Sequence, residues 1–414
     1  MSWESVPLRK LIKPNNKRNR PDLPLLSVVR DKGIIKRKLD KSDNHNIIPE
    51  DLSNYKVVSE GQFVINKMKA WQGSCGVSPY NGIVSPAYFV FDLIIDNPRF
   101  FNYSIRSRSF IDEFNRISKG IRVDQWDLDF YFLKYVRFPL PPPDEQDQIV
   151  RYLDWKVSGI NRLINAKRRQ IELLQEQKQA VINEAVSKGG DGWLNGRVGR
   201  FYDVILGKMI QPNSKAESDV YKSYMCAANI KWSGIKLEPL KQMWFSDNEV
   251  KKYLLKAGDL LVTEGGDVGV SCIWQGELEE CYVQNSVHIV RSNQNDIKYL
   301  YYWLFNLKNT GWIDNICNKA TIAHFTKEKL ENTPLSLPPF TEQQTIVKYL
   351  DEQCGRIDKI LSKLDEEITL FAEYRTRLIS DVVTGKVDVR GVVVPEYEAV
   401  EDVEEDGEME DMED

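Results

Sequence analysis

Two short motifs have the residue types of catalytic sites, but each fails at a required position. Pro338-Pro339-Phe340 resembles the (Asp/Asn)-Pro-Pro-(Tyr/Phe) motif of adenine methyltransferases, but Leu337 stands where a side chain must accept a hydrogen bond from the target amino group. Pro143-Asp144 with Glu176-Gln177-Lys178 resembles the PD…ExK motif of nucleases, but Glu176 and Lys178 lie far along a long predicted helix from Asp144. Neither motif therefore predicts an active site.

The remaining polar clusters also favour structural roles. Gly265-Gly266-Asp267-Val268-Gly269 follows a predicted strand without the G-x-G-x-x-G fingerprint, so a tight turn is favoured over a phosphate-binding loop. His324 could contact DNA, although a lone histidine is more often structural. The six cysteines form no CxxC pair and there are only three histidines, which argues against a zinc site or a disulfide framework. We expect reduced thiols, no metal, no cofactor and no catalytic activity.

The distribution of charge separates a basic body from an acidic end. The net charge is −5, but residues 396–414 hold 12 acidic and no basic residues, which leaves residues 1–395 with a net charge of +7. A mildly basic body permits phosphate binding, and the acidic end is typical of a disordered tail. No apolar run is long enough for a membrane span and the first residues lack a signal-peptide core, so a cytoplasmic protein without membrane contact is expected.

An internal repeat is the main signal in the sequence. Residues 138–154 read FPLPPPDEQDQIVRYLD and residues 335–351 read LSLPPFTEQQTIVKYLD. The two segments align at a shift of 197 residues, about half the chain, which indicates two copies of one plan.

Each repeated segment opens a long predicted helix, about 145–188 and 342–384. The proline-rich lead cannot be helical, and Asp144 or Thr341 is placed to cap the helix. Apolar residues recur at alternating steps of three and four, the pattern of a coiled coil about 65 Å long. We expect antiparallel packing in which one set of side chains faces another, namely Ile160, Ile164, Ile171 and Leu174 against Ile357, Leu361, Ile368 and Phe371. The polar seam residues Lys167, Lys178 and Arg375 should lie near the surface or pair with acids.

The segments between the helices have the pattern of mixed α/β domains. The runs GQFVINKM (61–68), AYFVFDLII (87–95), GDLLVTEGG (258–266) and YVQNSVHIVR (282–291) predict strands, and residues 297–307 predict a buried helix. Gly61-Gln62-Phe63-Val64 and Gly258-Asp259-Leu260-Leu261 are again 197 residues apart, whereas the rest of the two halves diverges. The predicted fold is α+β, with two α/β domains alternating with two long helices in a pseudo-two-fold internal repeat.

This arrangement resembles the DNA-specificity subunit of type I restriction–modification enzymes, over residues 1 to about 392. The resemblance rests on the doubled LPPxxEQ segment, each copy opening a long helix after a variable domain. It implies a non-catalytic subunit that reads a bipartite double-stranded DNA site with two target-recognition domains. It also implies that the helices are the spacer and the docking surface for two DNA methyltransferase subunits, with restriction nuclease or translocase subunits as further partners. The implied boundaries are 1–137 (first recognition domain), 138–195 (central spacer helix), 196–334 (second recognition domain), 335–392 (C-terminal spacer helix) and 393–414 (acidic disordered tail).

The family pattern also implies a DNA-facing loop shortly before each LPP segment. The matching stretches are Ser118-Lys119-Gly120-Ile121-Arg122 and Asn318-Lys319-Ala320-Thr321-Ile322, which depart from the family's usual Ser/Gly/Thr-rich residues. Together with basic residues elsewhere, they supply the candidate DNA contacts: Lys17, Arg18, Arg20, Lys36, Arg37, Lys38, Lys119, Gly120, Arg122, Lys208, Lys215, Lys231, Lys319 and Thr321.

Two other classes of function share features of this sequence. The repeat occupies nearly the whole chain, so the recognition half of a fused restriction enzyme would have no room for its catalytic domain. A coiled-coil adaptor for protein partners without DNA specificity remains open, and steep salt dependence of DNA binding would distinguish the two.

Overall fold

The structure is a computed structural model that describes residues 3–30, 32–37, 51–120, 126–317 and 323–402. It divides into two compact units. Unit 1 comprises Met1–Arg169 with Leu364–Asp414, and unit 2 comprises Gln170–Lys363. Each unit therefore contains one of the segments predicted to be globular and part of each long helix.

The described residues of the first half of the chain form twelve strands and four α-helices. The strands are β1 (Glu4–Pro7), β2 (Ile12–Pro14), β3 (Leu26–Val29), β4 (Gly33–Lys36), β5 (Lys56–Val58), β6 (Phe63–Asn66), β7 (Cys75–Val77), β8 (Gly82–Val84), β9 (Tyr88–Leu93), β10 (Ser118–Lys119), β11 (Asp127–Leu128) and β12 (Arg137–Leu140). The helices are α1 (Pro98–Ile105), α2 (Arg108–Ile117), α3 (Phe130–Leu133) and α4 (Pro143–Ser187), with short 3-10 turns at Leu8–Lys10 and Ala70–Gln72.

In the second half, the part of the chain that the structure describes forms eleven strands and six α-helices. The strands are β13 (Leu194–Arg197), β14 (Asp203–Leu206), β15 (Val220–Met225), β16 (Ile230–Lys231), β17 (Gly234–Ile235), β18 (Lys241–Phe245), β19 (Leu260–Thr263), β20 (Ser271–Ile273), β21 (Tyr282–Val283), β22 (Val287–Arg291) and β23 (Pro334–Leu337). The helices are α5 (Val198–Phe201), α6 (Asp247–Tyr253), α7 (Ile297–Asn309), α8 (Trp312–Cys317), α9 (Lys327–Asn332) and α10 (Phe340–Val383), with a 3-10 turn at Ala227–Asn229.

A four-stranded antiparallel sheet forms the centre of unit 1, in the order β2-β9-β6-β7. All four residues of β6 are buried, because one face packs on an aromatic core and the other on a smaller cluster with β3 and β8. Phe63 stacks on Phe91 with ring centroids 5.7 Å apart and meets Phe101 of α1 edge-on at 5.2 Å. These large rings fix the sheet against α1 and α2.

Unit 2 contains a four-stranded antiparallel sheet in the order β14-β22-β19-β20. The strands β6 and β19, which begin two residues after the repeated glycines, occupy the same place in their sheets. A second sheet of three strands, β18-β15-β21, packs beside it in unit 2. Helix α7 covers the first sheet with Tyr299, Leu300 and Leu304, all fully buried, as the apolar run 297–307 predicts.

The LPP–EQ segments position the two long helices by a shared set of hydrogen bonds. In α4 the Gln146 side chain is fully buried and donates to the Pro141 carbonyl at 2.9 Å, and in α10 Gln343 donates to the Pro338 carbonyl at 2.8 Å. The expected caps Asp144 and Thr341 are wrong, because the helices begin earlier, at Pro143 and Phe340. Proline suits the first helical position, since its missing N–H has no partner there in any helix.

Helices α4 and α10 pack together within each unit. In unit 1, Ile160 and Ile164 of α4 share one core with Ile368, Phe371 and Leu378 of α10. In unit 2, the α4 residues Ile182 and Val186 share a core with Leu350 and Cys354 of α10. Near the end of α4 the helix packs on the core of unit 2, so that Ile182 and Val186 are buried and the neighbouring Val181 and Ala185 are partly buried. Of the other predicted seam residues, Ile357 is buried, and Ile171, Leu174 and Leu361 are half-buried.

Polar contacts of the helix pair follow the predicted pattern. In unit 1, Arg375 donates to the Asn161 side chain at 2.6 Å and Lys167 pairs with Glu367, so α4 and α10 run antiparallel. In unit 2, Lys178 pairs with Asp358 at 2.7 Å. The prediction that Lys167, Lys178 and Arg375 pair with acids is confirmed, since Arg375 also binds Asp402.

The first ten residues of the predicted disordered tail, 393–402, have a defined position in the structure. Residues 393–402 lie along α4, to which their backbone carbonyls are hydrogen-bonded at three positions, rather than being disordered. The expectation of disorder for residues 403–414 falls outside the described residues. No helix within the described ranges is both long and apolar enough to cross a bilayer.

Candidate nucleic-acid interface

In unit 1, a short hairpin flanks the stretch predicted to face DNA. Strands β10 and β11 pair Lys119 with Asp127, on either side of residues 121–125. Lys67, one residue after β6, ties this hairpin to the central sheet. Its ammonium lies 3.0 Å from the Asp127 carboxylate, and its carbonyl accepts a hydrogen bond from the Leu128 N–H at 2.8 Å. The end of β6 and the base of the predicted loop therefore form one surface.

Positive charge accumulates on this surface. The backbone of Arg18 forms an isolated antiparallel β-bridge with that of Lys56. Lys56 is buried, and its ammonium donates a hydrogen bond to the Tyr88 carbonyl at 2.5 Å. Burial lowers the pKa of Lys56, and the positive charges of Arg18 and Lys67 lower it further. We call Arg18, Lys67 and Lys119 the basic face.

Aromatic and apolar side chains accompany the basic face. Trp71 and Trp126 pack with ring centroids 5.3 Å apart, and they lie four residues after Lys67 and one residue before Asp127. Met68 is 49% exposed, and the Lys119 ammonium lies 5.2 Å from the centroid of the partly exposed Phe132 ring. Cations of this kind are suited to holding a phosphate backbone, and apolar side chains beside them can contact base edges in a groove.

In unit 2 the position equivalent to Lys67 has the opposite charge. Glu264 follows β19 at the shift of 197 residues, and its carboxylate lies 4.0 Å from His324 and 3.7 Å from the buried His288. Burial raises the pKa of Glu264, and the neighbouring His324 opposes that shift. His324 is more than half exposed, whereas His288 is fully buried and hydrogen-bonded to the Phe325 carbonyl at 2.8 Å.

The glycine cluster after Glu264 is a tight turn, as predicted. Gly266 and Gly269 have φ of 70° and 78°, conformations that side chains rarely adopt. The Gly269 N–H donates to the Thr263 carbonyl at 3.0 Å, which closes the turn.

Of the basic residues predicted in unit 1, the structure brings Arg18 and Lys119 to the basic face, and Gly120 is exposed beside Lys119. Lys17 is exposed next to Arg18, and Arg20 is engaged by Asp22 at 2.7 Å. The ammonium of Lys36, at the end of β4, lies 4.9 Å from the centroid of the Tyr80 ring. The next residue, Arg37, is half-buried. The predicted contacts Lys38, Arg122, Lys319 and Thr321 lie outside the described residues.

In unit 2 the predicted basic residues are dispersed. Lys208 is only 4% exposed, and its ammonium is bound by Gln211 at 3.0 Å and Glu249 at 2.5 Å, so it is not free to contact a phosphate. Lys215 and Lys231 are exposed, on the loop after β14 and on the β16–β17 hairpin.

Sequence reasoning missed Lys67, Trp71 and Trp126. The signal that could have found Lys67 was its place at the end of the predicted strand 61–68, a strand that repeats in the second half. Within the described residues, no cluster of His, Cys, Asp and Glu is arranged to hold a metal ion. All six cysteines are free thiols, and burial raises the pKa of Cys281 to about 11.

Comparison with known proteins explains the arrangement. The family model of the type I restriction modification DNA specificity domain matches residues 191–370. Relatives that align over as much as 83% of the chain are also named as specificity subunits, so the predicted resemblance to type I specificity subunits is confirmed.

The relatives extend the resemblance over both units. The MjaX specificity subunit of a type I restriction enzyme from Methanocaldococcus jannaschii is 21% identical over 83% of this chain and 82% of its own. The MjaVIII specificity subunit from the same organism is 20% identical over 66% of this chain and 67% of its own. These relatives are named as specificity subunits, which are non-catalytic, in agreement with the prediction that this chain is not an enzyme.

A solved structure supports the fold. A chain from work on complex assembly and conformational transition of the type I R-M system has a TM-score of 0.69 at 17% identity. The alignment covers 93% of this chain and 98% of that one. At this identity the likeness is one of fold.

Proposed function

We propose that this chain is the DNA-reading subunit of a type I restriction–modification complex, which recognises a bipartite double-stranded DNA site. The observation that carries the proposal is the basic face of unit 1, where Lys67 and Lys119 lie at the β10–β11 hairpin with the Trp71–Trp126 pair and Phe132, and where Arg18 adds positive charge near Lys56. Cations supply affinity for the phosphate backbone, and side chains at base edges supply specificity.

The two halves of the chain would read different half-sites. The strand ends that correspond at a shift of 197 residues present Lys67 in one unit and Glu264 in the other. A lysine attracts a phosphate, whereas a glutamate repels phosphate and can accept a hydrogen bond from the cytosine amino group. We assign residues 1–137 and 196–334 as the two recognition domains, in a pseudo-two-fold repeat, and residues 138–195 and 335–392 as the spacer.

The helix pair would serve as the docking surface for the catalytic subunits. Two DNA methyltransferase subunits would bind it, and restriction nuclease or translocase subunits would join them. The doubled LPP–EQ arrangement supports two equivalent positions, because it sets the start of both helices through the same glutamine-to-carbonyl hydrogen bond. Reaction chemistry would belong entirely to those partners.

DNA binding by the purified chain tests the proposal. We expect log K for duplex DNA to fall linearly with log[salt] with a slope of several, since each phosphate contact contributes about −0.9. A map of modified adenines in the source genome should then show two short, unlike half-sites separated by unread bases. Salt-independent or absent DNA binding would favour the coiled-coil adaptor, and methyl transfer by the chain alone would contradict a non-catalytic role.

A further inference from the structure

The end of the chain is seated in a ladder of polar side chains on α4. We call residues 396–402 the strap. Asn161 donates to the Val400 carbonyl at 3.0 Å, Arg162 to the Glu398 carbonyl at 3.3 Å, and Asn165 to the Glu401 carbonyl at 2.9 Å. Ser158 accepts from the Val400 N–H at 3.3 Å. Because the donors recur every three or four residues, they line one face of the helix and hold an extended backbone.

A carboxylate socket ends this ladder. Arg168 of α4 and Arg375 of α10 bind the two oxygens of Asp402, the second at 2.7 Å. Arg375 also donates to the side chain of Asn161, which is 6% exposed. This hydrogen bond holds the Arg375 guanidinium in position to bind Asp402. Burial disfavours the charged form of Asp402, but the hydrogen bonds from Arg375 and Arg168 outweigh it and hold its pKa below the usual range. We call Ser158, Asn161, Arg162, Asn165, Arg168 and Arg375 the groove.

The groove is specific to unit 1. At a shift of 197 residues its α4 positions correspond to Gly355, Asp358, Lys359, Ser362 and Asp365, which cannot reproduce the two amides or the arginine of the socket. The helix pair therefore has a peptide-binding face in one copy of the repeat that the other copy lacks.

The strap is held in a way that permits exchange. Its contacts are mainly backbone carbonyls and one carboxylate, and the side chains of Glu396, Glu398 and Glu401 are exposed. Hydrogen bonds of this kind contribute modestly to stability when water can replace them. By contrast, a segment that a core must retain would bury large apolar side chains.

We propose that the groove on α4 is a binding site for an extended acidic peptide, and that the strap fills it in cis. An acidic segment of a protein subunit that docks along this face would take the groove by displacing the strap. The second step rests on the proposed function, whereas the groove itself does not.

A peptide of residues 396–414 tests the groove directly. It is titrated against the chain shortened to end at Pro395, and we expect binding with one site per chain that weakens as salt is added. Asp402→Asn in the peptide should weaken binding by about tenfold or more, because the socket makes charge-assisted hydrogen bonds. Glu398→Gln removes the same charge from an exposed side chain and should have little effect. Equal losses from the two variants would overturn the socket.

The full-length chain supplies the second test. It should bind the added peptide far more weakly than the shortened chain, because its own strap occupies the groove. Equal binding would overturn occupancy in cis. If the shortened chain does not fold, proteolysis within residues 396–402 of the full chain replaces the titration, and Asp402→Asn should accelerate cleavage more than Glu398→Gln. None of these measurements uses DNA or another subunit, so failure here is separate from failure of DNA recognition.

Discussion

At the residue scale, the residue that directly follows the repeated strand has a different charge in each unit. Lys67 is held by Asp127 at 3.0 Å, an exposed pair that contributes little stability and leaves the ammonium accessible. Glu264 is withdrawn between two histidines, where burial raises its pKa. Equivalent backbone positions thus carry groups of opposite charge, so under the proposed function the two units would make different contacts with DNA.

Lys67→Gln should weaken DNA binding and lower the salt slope by about one, because one phosphate contact is lost. The measurement is the affinity for duplex DNA at several salt concentrations. Lys359→Gln removes an exposed lysine from α10 and is the matched control, with no expected change. An unchanged slope for Lys67→Gln would mean that the basic face does not contact DNA.

The sequence identified the basic segments of the chain but not which lysine and arginine side chains are accessible at the surface. Arg18 and Lys119 were predicted and lie on the basic face, whereas Lys208 has the same residue type and is buried against Glu249. Whether a lysine is free depends on partners 41 residues away, and no local pattern contains that information. Lys67 was missed for the same reason, since its role depends on Asp127.

At the element scale, the long helices were predictable because their signals are local. Prolines and the buried glutamines fix the starts, and the observed bounds of α4 and α10 lie within two residues of the prediction. The apolar pattern predicted the seam at Ile160 and Ile164 but not the shift to Ile182 and Val186. That shift arises because this part of α4 packs on a globular core, whose contacts do not follow the heptad spacing of the sequence.

Ile164→Ala should destabilise unit 1 by about 2–5 kcal/mol, because the side chain is 1% exposed in the core shared by α4 and α10. The neighbouring Leu163 is 48% exposed, so Leu163→Ala should change stability by less than about 0.5 kcal/mol. Chemical denaturation of both variants measures the free energy of unfolding. Similar losses for the two would contradict the assigned seam.

At the scale of the whole molecule, the unit boundaries lie within three residues of matching points of the repeat. Unit 1 ends in α4 at Arg169 and resumes in α10 at Leu364, and Lys167 and Leu364 correspond at the shift of 197 residues. The sequence predicted this doubling, because LPP–EQ is kept in both copies. It did not predict the strap, whose acidic composition is typical of disorder and whose seat on α4 depends on a socket shared with α10.

Inserting one heptad in α4 near Lys167 and one in α10 near Leu364 should change the gap between half-sites without changing the bases read. Seven residues lengthen a helix by about 10 Å, close to three base pairs, and keep the seam in register. Three base pairs also turn the duplex by about a third of a turn, so affinity should fall. Selection from a duplex library with variable gaps measures both effects. A heptad in α4 alone is the control and should destabilise the chain, because it would shift Asn161 and Lys167 away from Arg375 and Glu367. If the matched insertion altered the half-site bases, or left the preferred gap unchanged, the helices would not set the spacing.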